Sequence, residues 1–155
     1  MDNTSIANNL SSPGLDVNIK RAAYVLICNE SASGRAGINN NFGGLQADSG
    51  RWSHEYDQYI SGTCVLTDNS GAKRRFLCFA SPQTCFSMIT SLIQKRGIYL
   101  GGTTSFITKT QVNSPEDWAL AYYREWVTGD KNANIPTGAL HSLLSLYQNA
   151  IDILP

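Results

Sequence analysis

The chain has 155 residues, 42% of them hydrophobic, which is enough for one globular core. Twelve Lys and Arg balance twelve Asp and Glu, so there is no basic footprint for DNA or RNA. No stretch approaches the roughly eighteen apolar residues of a membrane span.

Residues 1–16 are rich in Asn and Ser, carry Pro13-Gly14 and show no periodic apolar pattern, so they are expected to form a flexible lead-in. They lack the charged start and apolar region of a secretory signal. Residues 17–155 read as a single domain. Its first element is the run Ala22-Ala23-Tyr24-Val25-Leu26-Ile27-Cys28, which is apolar on every side over about two turns and so predicts a core helix. Glu30 stands near the end of that helix, with Gly34 as the expected stop. Partial burial and the negative end of the helix dipole both oppose ionisation, holding the proton as a general acid requires. A Gly/Asn-rich segment follows, Asn39-Asn40-Asn41-Phe42-Gly43-Gly44-Leu45-Gln46. Its glycines let backbone approach a ligand, and Asn41 and Gln46 offer amides for sugar hydroxyl or N-acetyl groups. An ordinary Asx-turn loop reads equally well from the same residues.

Past Gly50 the pattern changes to strands. Thr63, Val65 and Thr67 alternate with Cys64 and Leu66, and after Asp68-Asn69-Ser70-Gly71 the chain returns through Lys73-Arg74-Arg75-Phe76-Leu77-Cys78, predicting a hairpin. With Leu66 opposite Phe76, Cys64 falls opposite Cys78, and these four share one face, expected to be the packed one. A Cys64–Cys78 disulfide and two free thiols both fit, and Cys28 with Cys85 needs the first two helices to meet there. The triplet Lys73-Arg74-Arg75 reads as the solvated part of a strand.

Three further helices carry their own signals. Ser81-Pro82 opens one whose apolar positions Cys85, Phe86, Ile89, Leu92 and Ile93 fall at helical spacing, with Gly97 as its end. Ser114-Pro115-Glu116-Asp117 starts another, continuing through Trp118, Ala121, Tyr122, Glu125 and Trp126. The last runs from about Thr137 to Leu154, with Leu140, Leu143, Leu144, Tyr147, Ile151 and Leu154 on one stripe. One hairpin among these helices predicts an α+β fold in which helices dominate.

Taken in order, Glu30-Ser31, Asn40-Asn41-Phe42-Gly43 and Trp52 resemble the pattern of glycoside hydrolase family 73, the flagellar-type peptidoglycan glucosaminidases. The resemblance continues through Lys73-Arg74-Arg75-Phe76-Leu77-Cys78-Phe79, Arg96-Gly97-Ile98-Tyr99 and Trp126-Val127-Thr128-Gly129-Asp130, and so covers roughly residues 20 to 150. Gly44-Leu45-Gln46 is instead similar to the Gly-Leu-Met-Gln of lytic transglycosylases, which share the lysozyme-like superfamily. The family's loop leucine is Asn41 here, and the Gly-Trp-Gly after Glu-Ser is missing. The resemblance implies a lysozyme-like domain with a small β-hairpin lobe that cleaves β-1,4 bonds between N-acetylglucosamine and N-acetylmuramic acid, without a cofactor. Glu30 would be the general acid. For the second carboxylate it leaves Asp68 at the hairpin tip and Glu55 in His54-Glu55-Tyr56, with Asp57 behind them; the substrate's own N-acetyl oxygen is a third route. Tyr99 is expected to line the site, and Trp126, like Trp52 and Trp118, either stacks on a sugar face or packs in the core.

The implied partner is a peptidoglycan glycan strand in the bacterial cell wall or periplasm. Delivery would come from a phage, a virion or a secretion apparatus. A cell-wall-binding or phage structural module of the same fold, without turnover, is the alternative. Other chemistries lack their parts: Cys28 lies inside an apolar run rather than at a helix start, His54 and His141 lack the paired spacing of a zinc site, and no phosphate loop is present.

Overall fold

In a computed structural model, residues 1–32, 37–48, 52–68 and 70–155 are described. Gly34, Gly50 and Asn69, read above as a helix stop, a boundary and a turn residue, lie outside the described residues. The fold is α+β, mostly helical with one two-stranded antiparallel sheet among the described residues.

The first correction comes at the N-terminus, where residues 3–10 are helix rather than flexible lead-in. Helix α1 (Asn3–Leu10) is capped by Asp2, whose carboxylate accepts from Ser5 N at 2.8 Å. Ile6, Ala7 and Leu10 are buried, and the helix packs on the next one and on the helix Pro82–Arg96. Three apolar residues on one face are enough for a two-turn helix that docks on a core, and too few to show as periodicity among Asn and Ser.

Helix α2 (Val17–Glu30) begins at Asp16, which caps Asn18 N at 2.7 Å, and everything from Ala22 to Cys28 is buried. It is the central element, packed by α1, by α3 (Pro82–Arg96) and by α5 (Thr137–Ile153). The signals read for α3 hold: Ser81 and Thr84 form a capping box, Pro82 opens the first turn, and Gly97 closes the helix at φ 70°. A side chain at Gly97 would collide with the Thr103 carbonyl, so only glycine fits this stop. Helix α4 (Pro115–Tyr122) starts at Ser114 as expected and then widens into a π-helical turn over Tyr123–Thr128. Helix α5 buries Leu143, Tyr147 and Ala150, and Trp118 of α4 packs against Tyr147 with ring centroids 5.2 Å apart.

Strands β1 (Ile60–Thr67) and β2 (Lys73–Phe79) form the hairpin, two residues out of the expected register. Cys64 faces Phe76 and Cys78 faces Gly62, so the cysteines are diagonal neighbours, and all four thiols are free. The turn sets this register. The Asp68 carboxylate accepts from Ser70 N and Ala72 N, each at 2.9 Å, and Asp68 N donates to Ala72 O at 2.8 Å, so Ala72 belongs to the turn. The packed face is also the other one: Leu77 and Phe79 enter the core, whereas Cys64, Leu66, Phe76 and Cys78 are half-buried. Alternation could not choose, because β2 carries apolar residues on both faces.

Candidate active site

The site is assembled where the end of α2 meets the loop after it. Phe42 anchors that loop, packing edge-on to Phe86 of α3 at 5.5 Å, and Gly43 lies flat against Ile89. Leu45, Gln46 and Ala47 then run alongside β2: Leu77 N donates to Leu45 O at 3.0 Å and Ala47 N to Arg75 O at 2.8 Å. The buried Asn41 amide staples the two together. Its nitrogen donates to Leu45 O (2.9 Å) and Leu77 O (3.0 Å), and its oxygen accepts from Leu45 N (2.9 Å). Asn41 is therefore committed within the protein and offers nothing to a sugar.

This scaffold holds Gly44, at φ 58°, beneath the Glu30 carboxyl. Oε2 of Glu30 lies 3.6 Å from the place a Gly44 side chain would occupy. Oε1 accepts a hydrogen bond from the Tyr122 hydroxyl, which in turn accepts from Asn29 Nδ2 at 3.0 Å. Tyr122 is fixed by stacking on Trp118, whose ring lies 5.2 Å away and nearly parallel, and Trp118 Nε1 donates to Ile98 O at 3.1 Å. Glu30 as a whole residue counts as exposed, yet protein crowds its carboxyl, and the crowding at the oxygens governs proton affinity. Loss of water around the carboxyl raises its pKa above the ordinary value, and the Tyr122 hydrogen bond works against that rise. Its place as the last residue of α2, at the negative end of the dipole, adds to the rise.

Beside Gly44 a cavity of about 330 Å³ opens, floored by Gly43, Gly44, Leu45 and Gln46 and walled by Trp52, Arg96, Trp126 and Val127. Gln46 is exposed there, and its carbonyl accepts from Trp52 Nε1 at 3.0 Å, which sets the indole upright. On the far side of Trp52 a second cavity of about 320 Å³ is lined by Asp57, Ile60 and Thr63 among others. Trp126, half-buried on the π-turn, forms the facing wall with the Arg96 guanidinium lying 5.2 Å from its ring centre.

The remaining expected site residues lie elsewhere. Asp68 is held inside the hairpin turn, accepting from Ser70 and Ala72 and pairing with Arg74 Nε at 3.3 Å, and these bonds, the Ser70 hydroxyl first, hold its pKa down at about 2. Glu55 sits on an exposed turn, where the Lys95 ammonium and the Ser53 hydroxyl keep its carboxyl below the ordinary value. Tyr99 lies against Gly102 in the turn after α3 and is not among the residues lining the groove. Trp118 is core, whereas Trp52 and Trp126 face the cavity.

Comparison with protein-family models, with characterised proteins and with solved structures finds no match for this chain. The chemistry therefore rests on the geometry itself. Among the described residues no group of three or more His, Cys, Asp or Glu side chains is placed to hold a metal ion, and no helix is long and apolar enough to cross a membrane.

Two contributors were not singled out from the sequence. Tyr122 reads there only as an apolar-stripe residue of α4, and nothing local reports that its hydroxyl meets Glu30 across 92 positions. Glu125 likewise reads as a helix-face residue. It is buried instead, and its carboxylate accepts from Ile107 N (2.9 Å), Thr108 N (2.6 Å) and Thr108 Oγ1 (2.8 Å), pinning the loop that carries Phe106.

Proposed function

We propose that the protein is a peptidoglycan glycoside hydrolase of lysozyme-like type, cleaving β-1,4 bonds between N-acetylglucosamine and N-acetylmuramic acid with Glu30 as general acid. The observation that carries this reading is the position of the Glu30 carboxyl, with one oxygen tied to Tyr122 and the other next to Gly44, a glycine that lines the floor of an aromatic-walled groove. Because Oε1 already accepts the tyrosine hydrogen, the proton of the neutral acid belongs on Oε2, the oxygen next to Gly44. From there it passes to the bridging oxygen as the glycosidic bond breaks. Trp52 and Trp126 supply faces for stacking, Gln46 an exposed amide, and the glycines a floor that lets a sugar ring come close to backbone.

The second group of the reaction is the substrate itself. Asp68 is tied into its own turn by Ser70 and Ala72, Glu55 is tied to Lys95 of α3 and Ser53, and neither lines the groove. Attack of the N-acetyl oxygen on the anomeric carbon needs no second carboxylate, since only the leaving oxygen requires a proton. The setting this reading proposes is the bacterial wall.

The test is release of soluble muropeptides from purified sacculi by the full chain, with mass spectrometry of the new ends. Reducing N-acetylglucosamine, reducing N-acetylmuramic acid or an anhydro sugar would identify glucosaminidase, muramidase or transglycosylase respectively. Glu30→Gln should abolish release while leaving the fold intact. Undiminished release by that variant would rule the reading out. A wild type that binds sacculi without releasing anything would point instead to the non-catalytic wall-binding module.

A further inference from the structure

The groove beside Glu30 is not electrically neutral, although neutral sugars would need no cation. Arg96, the last residue of α3, is half-buried in its wall. Its guanidinium carbon lies 5.1 Å from the centre of the Phe106 ring and 5.2 Å from that of Trp126, so two aromatic faces fix the plane of the group. Among the described residues nothing accepts a hydrogen bond from that guanidinium.

Arg96 is half-buried, and its nitrogens are not among the buried polar groups left without a partner, so the five N–H donors of the fork are open to water and to whatever displaces it. Two groups act on the charge from a distance, Tyr56 and the carboxylate of Glu125. Glu125 is close enough to matter electrostatically, but the backbone and hydroxyl of the 107–108 loop occupy its oxygens. The same four bonds position Phe106 against Arg96, so the loop and the π-turn together hold the guanidinium plane while leaving its donors to the cavity. Arg96 also remains charged at any working pH, because burial lowers an arginine from a very high starting value.

We infer that Arg96 is a receptor for a carboxylate on the glycan strand, giving the groove a preference for the acidic sugar over a neutral chitin-type strand. This rests on the glycosidase reading of the same groove. The chemical class required is a carboxylate attached to an N-acetylhexosamine: either the lactyl group of N-acetylmuramic acid or, where that group is amidated, a carboxylate of the peptide stem. A planar fork held between two rings suits bidentate pairing with such a group.

Binding is measured by calorimetry with Glu30→Gln protein, so that turnover does not interfere. The ligands are chitobiose, the N-acetylglucosaminyl-N-acetylmuramic acid disaccharide with a free lactyl carboxylate, its methyl ester, and the same disaccharide bearing a peptide stem. The free-acid or the stem-bearing disaccharide should bind about tenfold or more tighter than chitobiose, the arm that shows the preference naming the carboxylate. Esterification should remove the lactyl preference. In Glu30→Gln/Arg96→Gln the acidic-to-neutral ratio should fall towards one, with Arg96→Lys intermediate. The ester comparison needs no second substitution, so it stands even if the Arg96 variants fold poorly. Equal binding of neutral and both acidic ligands, or an acidic preference that survives Arg96→Gln, would overturn the assignment. These outcomes are separable from failure of the glycosidase reading, which is judged by muropeptide release from wild-type protein.

Discussion

Tyr122→Phe isolates the hydrogen bond that opposes the rise in the Glu30 pKa. Tyr122 is 1% exposed and stacked on Trp118, so phenylalanine fills the same hole, and the change removes one hydroxyl. Asn29, which donates to that hydroxyl, is itself exposed and recovers its partner from water. A hydrogen bond to an ionised carboxylate is worth about 1.5–3 kcal/mol, and one pKa unit corresponds to about 1.4 kcal/mol. Glu30 retains solvent on one flank, and water will replace part of what is lost, so the lower end applies, about 1.5 kcal/mol in favour of the neutral acid. The direction is fixed by chemistry. The phenol stabilises the carboxylate form, and deleting it leaves the crowding by protein less opposed. A general acid loses activity as pH rises through its pKa, so the alkaline limb of kcat/KM in Tyr122→Phe should move to higher pH. The carboxyl chemical shift of labelled Glu30 followed against pH by NMR reads the same pKa without turnover. A downward shift, or no shift in a protein that melts like wild type, would refute the placement of Tyr122 as the partner of Glu30.

The same raised pKa has a consequence for stability. Glu30 contributes stability that is fully present below its unfolded pKa and is lost as pH rises through the folded one, so Glu30→Gln should melt above wild type at pH 8 by a margin that shrinks towards pH 4, as scanning calorimetry would show. Asp68 works in the opposite sense: its stabilisation is present above the ordinary aspartate value of 3.8 and fades as pH falls towards about 2, so the loss of Tm in Asp68→Ala should be full at pH 7 and should diminish over that acid range. Asn41→Ala removes the side-chain partner of the buried Leu45 N and Leu77 O, while Leu45 O keeps its bond from Leu77 N, and urea denaturation should report a loss of about 2 kcal/mol. A wild-type midpoint in that variant would sink the view of Asn41 as a staple.

Local signals carried much of the helical framework. Ser81-Pro82 and Gly97 mark the ends of α3, and Ser114-Pro115 the start of α4, because caps are made by residues within a turn of the helix they bound. The apolar run ending near Glu30 marks α2 for a similar reason: a stretch apolar all round has nowhere to go but the core. Helix α1 escaped because it depends on docking against α2 and α3, distant in sequence. The hairpin register escaped for a local reason, the Asp68 carboxylate drawing Ala72, four residues on, into the turn. The choice of packed face depends on which side of β2 meets the rest of the molecule.

The site shows the same division, with one twist. The Asn-rich loop was read as a source of amides for the substrate, and Asn41 instead ties the loop to β2 at Leu45 and Leu77. That internal role is what holds Gly44 under the Glu30 carboxyl and turns Gln46 and Trp52 towards the cavity. A polar side chain nine-tenths withdrawn from water must satisfy its own hydrogen bonds before it can serve a ligand, and the backbone of a tight glycine loop offers the nearest partners. Groups left without a protein partner among the described residues are the ones free to meet a substrate, and by that criterion Arg96, which lines the groove, is better placed to meet one than Asn41, Asp68 or Glu55, whose polar atoms are engaged.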